Sequence, residues 1–593
     1  ETNTTRDTLS LHDALPILID LSQSLKRLYY SWRYGPVARR LGMPPAVGRR
    51  GFIVVQIDGL GHATLLDAVA KGYAPYMASL MRSGEAEVYR WFCGVPSTTP
   101  VVQAEIMFGS SYDIPGFRWY DKEKAQAVVC KFPSVMHAIQ RRVSHGRQGI
   151  LRGGASYANM LDGQASVSLF TLSAFGRTSL FEKVGGLGLF LILLFSPVRV
   201  GRIIFLSLWT YLSGVWRKAS SVFWPSKFGR LGILSPFMHV LTNVIVREIE
   251  TFAVLVDVYR GVPGIYANYN SYDDWAHLFG HDDRYAYAAV KAIDRQLQQI
   301  DRMRRSFAGR QYDLFVLSDH GMAPSVPFEV AFGTSLGRMV SGQIDRPVRT
   351  DETQRGSGDS RHASSLLGDE VAAAESRLGG VSGEAARALS RSLHRRGERE
   401  PQELPRRLDV VIRNSGSLSH VYLNVTPSPM QAAEIEAVYP GLITRLASHP
   451  GIGVVGVRGS PHPLLITASG VYPCEPGRGE GAFAGLPDAR ELVEDMASLI
   501  AFPQSGDVVL LGKWGWWGAT DLVITFEHQR ATHGGVGGEQ CYPFLLAVVA
   551  EDGDLAQVRR ATDLYQLLLA YTRAAVPEWE REGIQVGAAE NGV

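Results

Sequence analysis

Six side chains of the kinds that ligate divalent cations, and one run of hydroxyls, stand at places in this chain where a strand or helix would present them. The run DLFVL (residues 313–317) continues as SDHGM, so a buried strand would deliver Asp319 and His320 together at its C-terminal end. A second apolar run, FIVVQI (52–57), ends in Asp58 with Gly59 beside it. In SYDDWAHLFGH, Asp273 and His277 are four apart, a spacing that puts both on one helix face within reach of a single ion. His533, in ATHGGVGG, is followed by glycines that let backbone pack closely beside a ligand. In VPSTTPVVQAEIMFG (95–109), Ser97, Thr98 and Thr99 open a helix, where backbone N–H groups and the helix dipole favour a bound phosphate. Singly, each of these is as ordinary as a helix cap or a turn histidine. Together they point to a metal-dependent site.

In this order the five elements resemble the type I phosphodiesterase/nucleotide pyrophosphatase family of the alkaline phosphatase superfamily. Its pattern is a strand-end Asp, a Thr nucleophile at a helix start, Asp-x-x-x-His, Asp-His-Gly and a late His. Pro96, Thr99, Gly109 and Gly116 match the family spacing around the nucleophile and select Thr99 over Thr98. The family's Phe-Pro-Asn-His after the nucleophile is here Pro100-Val101-Val102-Gln103, so its substrate contacts do not carry over. The resemblance covers residues 50–335 and 409–549. Within it, DIPGFRWYDKE, RGVPGIYANYNSYDDWAH and HGGVGGEQCYPFLL are similar to a bacterial, membrane-associated subgroup.

The resemblance implies two divalent ions, and the nitrogen and oxygen donors favour zinc over magnesium. Asp273, His277 and His533 would hold one; Asp58, Asp319 and His320 would hold the other, beneath Thr99. Thr99 would attack phosphorus, and hydrolysis of the phosphothreonine would follow, retaining configuration overall. The implied substrate is a phosphate ester, nucleotide-like or lipid-linked. Arg118, Trp119 and Tyr120 are candidates for the wall of its pocket, although the two aromatics suit a core better. Two further readings stand beside this one. The first is a membrane phosphotransferase of the phosphoethanolamine or glycerol-phosphate type on the same site. The second is a catalytically silent membrane scaffold, which the full set of ligand types disfavours.

Positioning such groups calls for an α/β fold with a mostly parallel sheet flanked by helices, interrupted by a hydrophobic helical insertion and a flexible charged one; the resemblance implies an alkaline-phosphatase-like core. Strands are expected at 52–57, 313–317, 409–413, 420–424, 507–511, 521–526 and 543–549, and a helix over 63–81. The catalytic fold would comprise residues 50–183, 247–340 and 406–575. Residues 341–405, rich in Arg, Glu, Ser and Gly, bury too little apolar surface to fold alone. Residues 184–246 carry VGGLGLFLILLFSPV and IIFLSLWTYLSGVW, each about 21 Å long as a helix against a hydrocarbon core of about 30 Å.

Because ligands lie on both sides of that insertion, the chain must leave and return on one side of any membrane. An interfacial or re-entrant hairpin satisfies this, with Trp209, Tyr211 and Trp216 at headgroup level. Two tilted spans or a buried hairpin also satisfy it. Arg217, Lys218, Lys227 and Arg230 point to a cytoplasmic face of a bacterial inner membrane.

The whole chain, 593 residues with a net charge of +2, carries no basic run interleaved with aromatics, so nucleic acid is not an expected partner. Its four cysteines make no Cys-x-x-Cys pair, which argues against a thiolate zinc site or a disulfide framework and for reduced, buried thiols. Residues 9–17, LSLHDALPI, read as a translated sequencing adapter, so 1–17 are set aside as a probable artefact of the reading frame.

Overall fold

The computed structural model describes residues 28–42, 50–175, 201, 205, 208, 212, 241–307, 309–353, 408–515, 518, 521–550 and 555–575. The adapter-like segment, most of the hydrophobic insertion and most of the charged insertion lie outside the described residues. No described helix is long and apolar enough to cross a membrane.

A seven-stranded sheet forms the centre. Its strands are Gly51–Ile57 (β1), Glu87–Arg90 (β2), Ala155–Tyr157 (β3), Val167–Leu169 (β4), Gly264–Tyr269 (β5), Tyr312–Leu317 (β6) and Phe544–Val548 (β7), in the spatial order β2-β7-β6-β1-β5-β3-β4. Strands β6, β1, β5, β3 and β4 run parallel, and β7 is antiparallel to both its neighbours. Strand β1 is buried along its whole length, as its unbroken apolar sequence predicts for a parallel strand covered on both faces. Alternate side chains enter different cores. Phe52 and Val54 pack with Phe108 and Leu511, whereas Ile53, Val55 and Ile57 pack with Phe252, Ile293 and Leu297.

The helices on that second face are Arg247–Arg260 and Arg284–Phe307. The helix expected over 63–81 is instead two, His62–Ala70 and Pro75–Arg82, because Gly72 takes a left-handed φ of 76° and Pro75 can only begin a new helix.

A second seven-stranded sheet was not foreseen. Its order is Thr350–Glu352, Val410–Ser415, Leu418–Leu423, Val508–Gly512, Ile452–Val457, Leu464–Thr467 and Gly470–Pro473, and every pairing but the first is antiparallel. The expected strands near 409–413, 420–424 and 507–511 therefore belong here and not to the parallel sheet. The two-residue link Gly416-Ser417 is a hairpin signal, and it cannot join parallel neighbours. The expected strand over 521–526 is reduced to Val523–Thr525 in a three-stranded sheet. All four cysteines are free and buried, as expected.

Candidate active site

The C-terminal ends of β1 and β6 lie side by side, because the two strands pair in parallel with Gln56 beside Leu317. Asp58 leaves one end and Asp319-His320 the other. Two glycines make this close approach possible. Gly59 has φ 74°, and a Cβ there would stand 2.8 Å from Asp273 Oδ1; a Cβ on Gly321 would stand 2.0 Å from the Glu539 carbonyl oxygen. The Gly59 backbone N–H also donates to Asp319 Oδ1 at 3.2 Å.

Strand β5 supplies the next groups. Asn268, paired with Gln56 of β1, donates from Nδ2 to Asp58 Oδ2 at 3.0 Å. The chain then turns into helix Ser271–Phe279, where the four-residue spacing brings His277 Nε2 to 3.3 Å from Asp273 Oδ2. His533 follows the short strand Ala531–Thr532, and its Nε2 lies 3.8 Å from Asp273 Oδ1.

Thr99 is the first residue of helix Thr99–Phe108, with Thr98 as the extended N-cap. Its Oγ1 lies 3.3 Å from His320 Nε2 and 3.4 Å from Asp58 Oδ1. The helix start is pinned to the late histidine: Ser97 Oγ donates to the Gly535 carbonyl at 3.0 Å and accepts from the Gly534 N–H at 2.9 Å. All seven residues singled out in the sequence, Asp58, Thr99, Asp273, His277, Asp319, His320 and His533, thus converge on one place.

Their hydrogen bonding orients the histidines alike. Nδ1 of His277 faces the Ala531 carbonyl at 2.8 Å, Nδ1 of His320 the Gly321 carbonyl at 3.1 Å, and Nδ1 of His533 the Ser97 carbonyl at 2.9 Å. A carbonyl only accepts, so each Nδ1 donates and each ring turns its Nε2 into the site. Those Nε2 atoms face carboxylate oxygens, and Asp273 Oδ1 and Asp319 Oδ2 are buried with no hydrogen-bond partner.

Such an arrangement calls for a proton or a cation. Burial pushes the His533 pKa well below its usual value, with His320 adding to the effect, which opposes the proton. Burial alone would raise the Asp273 pKa, but His277, His533 and His320 outweigh it and hold the carboxyl below its ordinary range. The donor set therefore fits metal. One ligand atom each from Asp58, Asp319 and His320 lies within 4.8 Å of the others, and so do those of Asp273, His320 and His533. His320 stands in both groups, and His277 lies against Asp273 of the second.

The residues expected at a substrate wall are otherwise engaged. Arg118 is buried, with Nη1 on Glu527 Oε1 at 2.5 Å and on the Asn414 carbonyl at 3.3 Å. Trp119 and Tyr120 are 3% and 2% exposed in the core, with Tyr120 set edge-on to Tyr422. The apolar alternation of GFRWYD suits a strand, Arg118–Asp121, whose side chains are all buried. Gln103, in the segment that departs from the family pattern, commits its amide to Gln56 Oε1 and Asn159 Oδ1, both at 3.1 Å. Asn268 was missed in the sequence. The available signal was a polar residue inside the apolar run GIYANY, which the structure sets level with Gln56, two residues before Asp58.

No family model matches the chain, and no curated protein matches it. Solved structures similar to it include phosphonoacetate hydrolase from Sinorhizobium meliloti 1021 in complex with phosphonoacetate, at 14% identity over 88% of this chain and 96% of that one, TM-score 0.42. Another is murine ectonucleotide pyrophosphatase/phosphodiesterase 5, inactive and in complex with AMP, at 11% identity over 89% and 96%, TM-score 0.43. The wild-type alkaline phosphatase PafA is similar at 13% identity over 88% and 96%, TM-score 0.45. At these values the likenesses say nothing of the reaction, which has to be read from the site itself.

Proposed function

We propose that this chain is a metal-dependent phosphate-ester hydrolase of the type I phosphodiesterase/nucleotide pyrophosphatase kind, with Thr99 as its nucleophile. The observation that carries the reading is the placement of Thr99 Oγ1 at a helix start, 3.3 Å from His320 Nε2 and 3.4 Å from Asp58 Oδ1, beside carboxylate oxygens that lack partners. Asp58, Asp319 and His320 would hold one divalent ion and Asp273, His277 and His533 a second, with His320 bordering both; the nitrogen-rich donor set favours zinc. Bound there, the cations supply Lewis acidity toward the threonine hydroxyl, the phosphoryl oxygens and the leaving group.

The protein's own groups do the remaining work. Thr99 Oγ1 attacks phosphorus, and the P–O bond to the leaving alcohol or phosphate breaks as the phosphothreonine forms. The positive end of the dipole of helix Thr99–Phe108 would lie at the phosphoryl oxygens that gain charge; Pro100 has no N–H, and those of Val101 and Val102 already donate to the Thr98 carbonyl. Asn268 holds Asp58 in its orientation throughout, and Ser97 keeps the nucleophile's turn in register with the His533 loop. Water then attacks the phosphothreonine and frees Thr99. Two displacements in line give net retention at phosphorus.

Hydrolysis of a bis-aryl phosphate diester in the presence of zinc or manganese tests this reading. Activity that Thr99→Ala abolishes supports it. No hydrolysis of diesters or monoesters by metal-loaded protein, or full activity in Thr99→Ala, rejects it.

A further inference from the structure

Residues 28–41 are helical and stand apart from the catalytic groups. One side of this segment is built into the domain. Tyr34 and Val37 are 2% and 1% exposed, and the Tyr34 ring lies 5.6 Å from that of Phe252 and 6.3 Å from that of Tyr259 on helix Arg247–Arg260. Arg260 of that helix donates to the Gly42 and Leu41 carbonyls at 2.9 and 3.1 Å. The two helices therefore run in the same direction, C-terminus beside C-terminus. Leu28 and Tyr29 fall toward the other end, near the start of helix Arg247–Arg260.

The opposite side of the segment is exposed and mostly not polar. Leu28, Tyr29 and Trp32 are 69%, 47% and 64% exposed, and the spacing i, i+1, i+4 puts them on one face. Every charged residue from 28 to 42 is an arginine: Arg33, Arg39 and Arg40, with no acid among them. Arg33 lies over the rings of exposed Tyr29 and buried Tyr34 at 5.6 and 5.5 Å, and its Nη1 donates to the Tyr29 hydroxyl. In the insertion, Phe205, Leu208 and Leu212 are also exposed, at 65%, 56% and 53%, again with helical spacing.

A water-facing surface has no use for exposed Trp, Tyr and Leu in one group. A headgroup layer does: amphipathic aromatics partition there, and arginines meet anionic phosphates at about 1 kcal/mol each. A second copy of the chain would satisfy the apolar residues but would set like charges against each other. We infer that the exposed face of residues 28–41 docks on the surface of an anionic lipid bilayer, lying in its plane and holding the catalytic domain against it. This inference stands independently of the reaction proposed for the Thr99 site.

The test is co-sedimentation of the full chain with vesicles of phosphatidylcholine alone or with phosphatidylglycerol added. The expected result is binding that requires phosphatidylglycerol, weakens in high salt, and falls at least about tenfold in Leu28→Ser/Trp32→Ser and in Arg39→Glu/Arg40→Glu. A fluorophore attached through Trp32→Cys should shift to the blue on the same vesicles, which reads the face directly even if a double variant is poorly folded. Absence of binding overturns the inference. So does binding that both double variants leave intact, which would place the lipid contact elsewhere, or a Trp32-dependent dimer in solution with no affinity for vesicles.

Discussion

The imidazole of His320 lies face to face with that of His533, ring centroids 3.9 Å apart and planes 17° from parallel. One ring comes from the end of β6 and the other from the loop after Ala531–Thr532, so the stack joins two groups of ligands into one continuous site. His320 also contributes to both close donor clusters.

It follows that His320→Ala should deplete metal at both positions, whereas Asp58→Asn should deplete mainly one. Elemental analysis of protein purified without chelator measures this. Loss of the same amount of metal in the two variants would contradict the shared role of His320.

Asn268 donates from Nδ2 to Asp58 Oδ2 at 3.0 Å and so fixes the orientation of that carboxylate. Groups that orient a ligand in this way typically change metal affinity by about 10–100-fold when removed. Asn268→Ala should therefore raise the metal concentration needed for half-maximal activity by about that factor, with the rate recovering at saturating metal. A rate that stays low at saturating metal would show that Asn268 acts on the substrate instead.

Arg118 and Glu527 form a buried pair. Glu527→Ala leaves the guanidinium uncompensated and should cost about 3–5 kcal/mol of stability, read from urea unfolding, with KM for a phosphate ester unchanged in the protein that remains folded. A large rise in KM without loss of stability would return Arg118 to the substrate pocket.

His420 gives a stability trend with pH. Its Nε2 faces the Pro115 carbonyl at 2.8 Å and its Nδ1 accepts from the Gly506 N–H at 3.1 Å, so the folded protein needs the neutral ring. Burial pushes its pKa down to about 4. Between about 6.5 and 4 the unfolded chain binds a proton that the folded chain refuses, so stability is full above 6.5 and falls as pH drops toward 4. The loss is about 3 kcal/mol, by the shift of about 2.5 units. Comparing unfolding free energies of the wild type and His420→Gln from pH 7 to 4 isolates it: the advantage of the wild type should shrink by about that amount. A constant difference would show that His420 is not the titrating group.

The site was far more legible in the sequence than the fold around it. Asp58 and Asp319-His320 announce themselves because a strand buried on both faces is an unbroken apolar run, and whatever follows it sits at the sheet's edge. Asp273 and His277 are legible because the helical repeat fixes their common face. What stayed hidden depends on contacts between distant segments. The antiparallel sheet stayed hidden, since short runs such as Val410–Ser415 and Val508–Gly512 look alike whichever sheet receives them. Trp119 and Tyr120 could be placed at a wall or in a core until Tyr422 was seen against one of them. The orienting carbonyls of Ser97, Gly321 and Ala531 have no side-chain signature at all.

The claim on which the account depends is that Thr99 itself carries the phosphoryl group. Rapid acid quenching during turnover of a slow phosphate diester, followed by mass spectrometry of the peptide containing residues 95–109, tests it most directly. The account predicts a phosphorylated Thr99 in the wild type, approaching one per chain under conditions where the second step is slow, and none in Thr99→Ala. Steady turnover with no phosphorylated peptide, or with the phosphoryl group on another residue, would contradict it.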